Sequence, residues 1–222
     1  MNAELAEIRA ILFDLDGTLI DTDDTAVEGL ARWLRPVLGD RADRIARWIL
    51  MKAETPGNWF VLILDKLGVD EKMLSLTDRL RKRRGVKPAS QFRLIPGVQE
   101  MIIDLRDRYQ LGLVTTRGRY HIDKFLDSYP EIGESFEVTC GRQDTGRLKP
   151  HPEPVIFSAG RLGVPVQHCL MIGDTTVDVK SARRAGALSA GVLCGFGERE
   201  ELERAGAHII LPTTADLIQY LE

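Results

Sequence analysis

The sequence predicts an α/β protein: a parallel sheet with helices on both faces, and a helical module inserted after the first strand. Two patterns carry this. From about residue 96 onward, short continuous apolar runs alternate with amphipathic stretches, the rhythm of a doubly wound sheet. Runs without polar alternation suit parallel strands covered on both sides. The first run, Ile11-Leu12-Phe13, breaks that rhythm, because residues 22–92 show helical spacing and no convincing strand.

The elements follow in order. Ile11-Leu12-Phe13 is the first strand. Val27, Leu30, Ala31, Leu34 and Leu38 have helical spacing, as do Trp59, Leu62, Ile63 and Leu67, which end at Gly68, a C-terminal cap. Met73, Leu76 and Leu80 suggest another helix, and Trp33, Trp48 and Trp59 read as core aromatics of this module. The junctions fall near Ile20-Asp21-Thr22 and Leu94-Ile95-Pro96, so the boundaries are 1–20 and 95–222 for the core and 21–94 for the module. An insertion at that point is expected to act as a lid. Pro96-Gly97 opens a helix with Val98, Met101, Ile102, Leu105 and Tyr109 on one face. The remaining strands are read at Leu111-Gly112-Leu113-Val114, Phe136-Glu137-Val138, Cys169 to Ile172, Ala190 to Leu193 and His208-Ile209-Ile210.

Composition bounds the function. At 222 residues and 44% hydrophobic the chain can build a sizeable core, and its net charge of -3 gives no reason to expect nucleic acid or an anionic membrane as a partner. The basic run Arg81-Lys82-Arg83-Arg84 reads as a solvated helix face. Residues 1–7 lack the apolar centre of a signal peptide, and no segment approaches the ~18 apolar residues that span a bilayer. Three cysteines, Cys140, Cys169 and Cys194, show no metal spacing and read as buried thiols. A cytoplasmic protein is expected. Monomer and homodimer fit the sequence equally.

Chemistry concentrates where apolar runs end. Asp14-Leu15-Asp16-Gly17-Thr18 follows the first strand directly. Two acids at a strand mouth repel each other and call for a cation or a shared proton. Thr115-Thr116 follows Val114, Lys149-Pro150 closes the loop after the Phe136 strand, and Gly173-Asp174 with Asp178 follows Ile172. Singly, each has an ordinary reading: Asp16-Gly17 a turn pair, Thr115 a β-branched strand residue, Lys149 a surface lysine, Asp174 a helix N-cap. Together, in order, they meet at the carboxyl edge of one parallel sheet, where such folds bind ligands.

That set fits phosphoryl transfer, which needs an in-line nucleophile, positive charge on the phosphoryl oxygens and a proton for the leaving group. Mg²⁺ prefers a few carboxylates plus phosphate and water oxygens. Asp14 and Asp174 are its candidate ligands, and Asp16 is the candidate acid and base. Lys149 supplies a point charge. Thr115, with Thr116 beside it, and the backbone N–H groups at Gly17 are placed to hold phosphate oxygens.

This ordered set resembles the haloacid dehalogenase superfamily of phosphohydrolases, on Asp14-x-Asp16-Gly17-Thr18-Leu19, Thr115, Lys149-Pro150 and Gly173-Asp174-x-x-x-Asp178. Asp16-Gly17-Thr18-Leu19-Ile20-Asp21 and the position of the insertion look like its phosphoglycolate phosphatase-like branch. The resemblance implies a Rossmann-like three-layer core with an all-helical cap. It also implies a covalent aspartyl-phosphate on Asp14, and Mg²⁺ held by Asp14, the Asp16 main-chain carbonyl and Asp174, with Asp178 assisting. Superfamily members that cleave C–halogen or C–P bonds lack an acid at the Asp16 position, so a phosphate ester or anhydride of a small metabolite is expected. Thr116-Arg117 departs from the Asn and Lys often found there; Arg117 either adds charge to the phosphate site or cap, or faces solvent. His121 and His151 receive no role. A sugar-phosphate mutase and a non-catalytic phosphate-binding protein are the alternatives.

Overall fold

The computed structural model describes residues 5–21, 92–221 and positions scattered between 32 and 45. The chain divides into two compact units, Met1–Asp21 with Phe92–Glu222, and Thr22–Gln91. Most of the helices expected between residues 22 and 92 lie outside the described residues. Of that stretch, positions 32–36 are helical, and Trp33 is 78% exposed rather than core. Its neighbours Arg32, Arg35 and Pro36 are exposed too, and Leu34 is half-buried.

The first unit begins with β1 (Ala10–Phe13), then β2 (Ile20–Asp21) and, on return of the chain, β3 (Arg93–Leu94). There follow α1 (Val98–Leu105), β4 (Gln110–Val114), α2 (Arg119–Ser128), α3 (Pro130–Ser135), β5 (Val138–Cys140) and α4 (Glu153–Leu162). The unit ends with β6 (Cys169–Gly173), α5 (Thr176–Ala185), β7 (Leu188–Val192), α6 (Arg199–Ala205), β8 (Ile209–Leu211) and α7 (Leu217–Leu221). Six strands form one parallel sheet in the order β5-β4-β1-β6-β7-β8. Among the described residues, no helix is long and apolar enough to cross a membrane.

Alternation along buried strands explains the three layers. Ile11 and Phe13 enter one apolar cluster, whereas Ala10 and Leu12 enter the other. β6 repeats this, with Leu170 and Ile172 on the first face and Cys169 and Met171 on the second. Successive strand side chains point to opposite faces, so a strand between two helical layers has to be apolar throughout. The first face is covered by α1 (Met101, Ile102, Leu105) and α2 (Ile122, Phe125), the second by α4 (Val155, Ala159, Leu162) and α5 (Ala182). Phe13 and Leu12 are fully buried, worth about 1.5–3 kcal/mol each in apolar transfer.

Three expectations shift. The strand expected at Phe136-Glu137-Val138 runs over Val138–Cys140. Phe136 instead closes α3 and packs edge-on against Phe13, ring centroids 6.3 Å apart, so its apolar character serves the core and not the ladder. Tyr109 lies beyond α1, which ends at Leu105; its ring still packs on the first cluster. At the junctions a short antiparallel ribbon forms, Ile20 opposite Leu94 and Asp21 opposite Arg93.

The topology places the edge chemistry. β1 lies between β4 and β6, and the chain runs outward from β1 first on one side and then on the other. Ligands in open α/β sheets bind at such a reversal, outside the carboxyl ends of the strands. Asp14, Thr115 and Asp174 each follow one of these three central strands immediately.

Candidate active site

Lys149 is the centre of the site. It is 4% exposed, and its Nζ donates to Asp14 Oδ1 at 2.6 Å, to Asp178 Oδ1 at 2.6 Å and to the Val114 carbonyl at 2.9 Å. The loop that carries it is tied to α5: Ser181 Oγ donates to the His151 carbonyl at 2.7 Å and Arg184 Nη1 to the Pro150 carbonyl at 2.8 Å. The same helix presents Asp178. Burial works against a charged lysine, but Asp14 and Asp178 outweigh it and raise the ammonium above the ordinary lysine range.

Asp178 has two tasks. Its Oδ1 takes Lys149, while its Oδ2 accepts the Thr175 N–H at 3.1 Å and the Thr175 hydroxyl at 2.7 Å. Thr175, and not Asp174, is therefore the N-cap of α5, which satisfies a donor at the helix start. Asp174 does not serve as that cap. Phe196 N–H donates to its Oδ2 at 2.7 Å.

Small residues make room for Asp174. Gly17 has φ 72°, the left-handed region, and a Cβ there would collide with Asp174 Oδ2. A Cβ on Gly195 would meet the same oxygen, and one on Gly197 the Asp174 carbonyl. Side chains at these points would fill the space around the carboxylate.

Carboxylate oxygens of Asp14, Asp174 and Asp178 lie within 4.8 Å of one another, and all three residues are buried. Burial, partly offset by Lys149 and reinforced by Asp178 and Asp16, pushes the Asp14 carboxyl up to about 7. The three carboxylates gather around the Lys149 ammonium, and the donors are all hard oxygens. That set fits a divalent cation of the magnesium type. Asp14 and Asp174 are the members best placed to bind one, since both oxygens of Asp178 already serve Lys149 and Thr175.

Asp16 is placed differently. Its carboxylate does not join the acidic cluster but lies in the fork of Arg117, Nε to Oδ2 at 2.6 Å and Nη2 to Oδ1 at 2.5 Å. These hydrogen bonds raise the Arg117 pKa against the opposing effect of burial. The second sequence alternative, Arg117 facing solvent, is thus set aside. Thr115 is buried, and its Oγ1 accepts the Arg117 backbone N–H at 3.1 Å; Thr116 beside it is half-buried.

The structure brings Asp14, Lys149, Asp174 and Asp178 together, with Gly17 against Asp174. Sequence reasoning missed the Arg117–Asp16 pair, the Phe196 N–H and the glycines of Gly195-Phe196-Gly197. The last had a signal: paired glycines just past a strand of a parallel sheet permit close backbone approach. Of the cysteines, Cys140 and Cys169 are buried as expected, whereas Cys194 is half-buried beside the Gly17 carbonyl, Sγ to O 3.5 Å.

A family model for haloacid dehalogenase-like hydrolases matches residues 11–192. The chain belongs to the haloacid dehalogenase-like hydrolase family. The matched span holds every member of the acidic cluster, together with Lys149 and Thr115. A curated relative, phosphoglycolate phosphatase of Salmonella paratyphi A, is 28% identical over 254 aligned positions, which cover 98% of this chain and 94% of that one. Among solved structures, a phosphoglycolate phosphatase candidate from Lactobacillus plantarum superposes with a TM-score of 0.68 at 22% identity, covering 97% of this chain and 99% of that one. A β-phosphoglucomutase candidate from Thermotoga maritima gives 0.66 at 19% identity, covering 96% and 98%. Both likenesses are of fold alone, and the choice of chemistry belongs to the site.

Proposed function

We propose that this protein is a metal-dependent phosphatase that removes phosphate from a small phosphorylated metabolite through a covalent phosphate on Asp14. The observation that carries this reading is the buried Lys149 bridge from Asp14 to Asp178, with Asp174 alongside. An ammonium fixed against the nucleophile supplies positive charge where a phosphoryl group arrives. When bound, a Mg²⁺ ion held by Asp14, Asp174 and the Asp16 main-chain carbonyl would offset the negative charge shared by phosphate and acids.

The side chains then divide the work. A carboxylate oxygen of Asp14 attacks phosphorus, and the P–O bond to the leaving alcohol breaks. Asp16 gives that oxygen its proton. Asp16 next takes a proton from water, whose oxygen attacks the same phosphorus; inorganic phosphate departs and Asp14 is restored. Thr115 meets the phosphoryl oxygens, Lys149 lends them its positive charge, and Asp178 positions Lys149. The name of the curated relatives makes 2-phosphoglycolate the first substrate to try.

The test is inorganic phosphate release from 2-phosphoglycolate, sugar phosphates and pyrophosphate, with Mg²⁺ and with chelator, beside Asp14→Asn. Release that needs both Mg²⁺ and Asp14 is expected. Full turnover by Asp14→Asn, or sugar-phosphate isomers formed without free phosphate, would overturn the reading.

A further inference from the structure

Arg117 joins two parts of the site. Its backbone N–H is fixed to Thr115 Oγ1 at 3.1 Å and its carbonyl accepts the Arg142 N–H at 2.9 Å, so the root of the side chain is tied to the phosphate cradle. Its tip takes both oxygens of Asp16 in a two-pronged ion pair and lies over the Phe92 ring, 5.9 Å from the centroid. A carboxylate held at both oxygens by one guanidinium has neither oxygen directed to a leaving group. Closed in this way, Asp16 is out of use.

The pair is also exchangeable. The side chains of Arg117 and Asp16 are 32% and 27% exposed, in contrast to 4% for Lys149. Partial exposure lets a second anion reach the fork, and a guanidinium fork fits any planar pair of anionic oxygens. Asp16 has to reach the ester oxygen in order to act, so its replacement in the fork has to be tethered within a few bonds of that oxygen. The transferred phosphoryl group is met instead by Lys149 and Thr115.

We infer that Arg117 is a specificity-determining residue: it exchanges the Asp16 carboxylate for an anionic group carried by the substrate's leaving alcohol, and the exchange releases Asp16 for proton transfer. This rests on the phosphatase reading given above. A substrate with a neutral alcohol leaves the fork closed, so selection for an acidic leaving group and readiness of the acid are a single event.

Two esters isolate the effect. 2-Phosphoglycolate and ethyl phosphate share the phosphoryl group and differ in carboxylate against methyl. With the full-length chain and Mg²⁺, wild type is expected to prefer the carboxylate ester in kcat/KM by about 100-fold, the scale of charge-assisted hydrogen bonding. Arg117→Ala is expected to bring that ratio close to one by losing the acidic substrate while keeping or gaining on ethyl phosphate. Arg117→Lys is expected to restore only part of the ratio, since an ammonium has no fork. Calorimetry of glycolate binding supplies an arm free of turnover. Asp16→Asn removes the competing anion and is expected to tighten glycolate about tenfold, and adding Arg117→Ala is expected to abolish the gain. Equal losses on both esters in Arg117→Ala, a wild-type ratio near one, or glycolate binding that is absent or indifferent to Asp16→Asn would each overturn the inference. Failure to hydrolyse any ester would sink the phosphatase reading alone, with the glycolate titrations still deciding the role of Arg117.

Discussion

Replacing Lys149 by Met tests whether one ammonium holds the acidic site together. Methionine keeps most of the volume and removes the charge. Lys149 is buried and makes two ion pairs of 2.6 Å, and its loss leaves Asp14 and Asp178 facing each other and Asp174 inside a 4.8 Å cluster. Breaking a buried pair by removing one partner costs about 3–5 kcal/mol, because the remaining charge is uncompensated. For a chain of this size each kcal/mol moves Tm by roughly 2–4 °C, so a fall of about 6–20 °C is expected. The assay is thermal unfolding followed by circular dichroism in chelator, where no cation compensates the acids. Added Mg²⁺ should recover part of the loss. Asp178→Asn, destabilising in wild type, should become stabilising in the Lys149→Met background, because it then removes a surplus charge. A Tm within 2 °C of wild type, or simple additivity of the two substitutions, would refute the claim that Lys149 is a counter-ion of Asp14 and Asp178.

Further outcomes follow from the same geometry. Gly17→Ala forces a left-handed φ on a residue with a side chain, about 1–2 kcal/mol, and drives its Cβ into Asp174 Oδ2. Denaturant unfolding should show the cost, and the Mg²⁺ concentration for half-maximal phosphate release should rise. Burial pushes the thiols of Cys140 up to about 12 and Cys169 up to about 11. Both should resist alkylation at pH 8 in the native protein and react in denaturant, as judged by mass spectrometry. Both thiols are held neutral by the fold, so the unfolded chain releases their protons first. The contribution of these two thiols to stability should therefore be constant below about pH 9 and fall as pH rises from there toward 11–12.

The central strands were legible because nothing interrupts them. Ile11-Leu12-Phe13 and Cys169 to Ile172 are buried on both faces, so every residue is apolar and the first polar one marks the sheet edge. Asp14, Asp174 and, across a loop, Lys149 could be placed on that edge from order alone. The apolar signal of β5 falls early, on Phe136, while Thr139 in mid-strand is polar. The fork on Asp16 had no local signature: Arg117 lies 101 residues away, and only the pairing of β1 with β4 brings them together. The Phe196 N–H is a backbone group, which side-chain patterns do not encode.

The ribbon of β2 and β3 has a consequence for how such a protein can be varied. Asp21 and Arg93 stand opposite each other, and directly paired antiparallel residues have Cα atoms only about 4.5–5.5 Å apart. The chain therefore leaves the sheet unit and comes back to it at neighbouring points. A two-residue turn spans such a gap, so the two ends are held as close as those of a hairpin. Loop-closure entropy grows only with the logarithm of length. Whatever is spliced between those two strands, short or long, the ends present the same demand to the sheet.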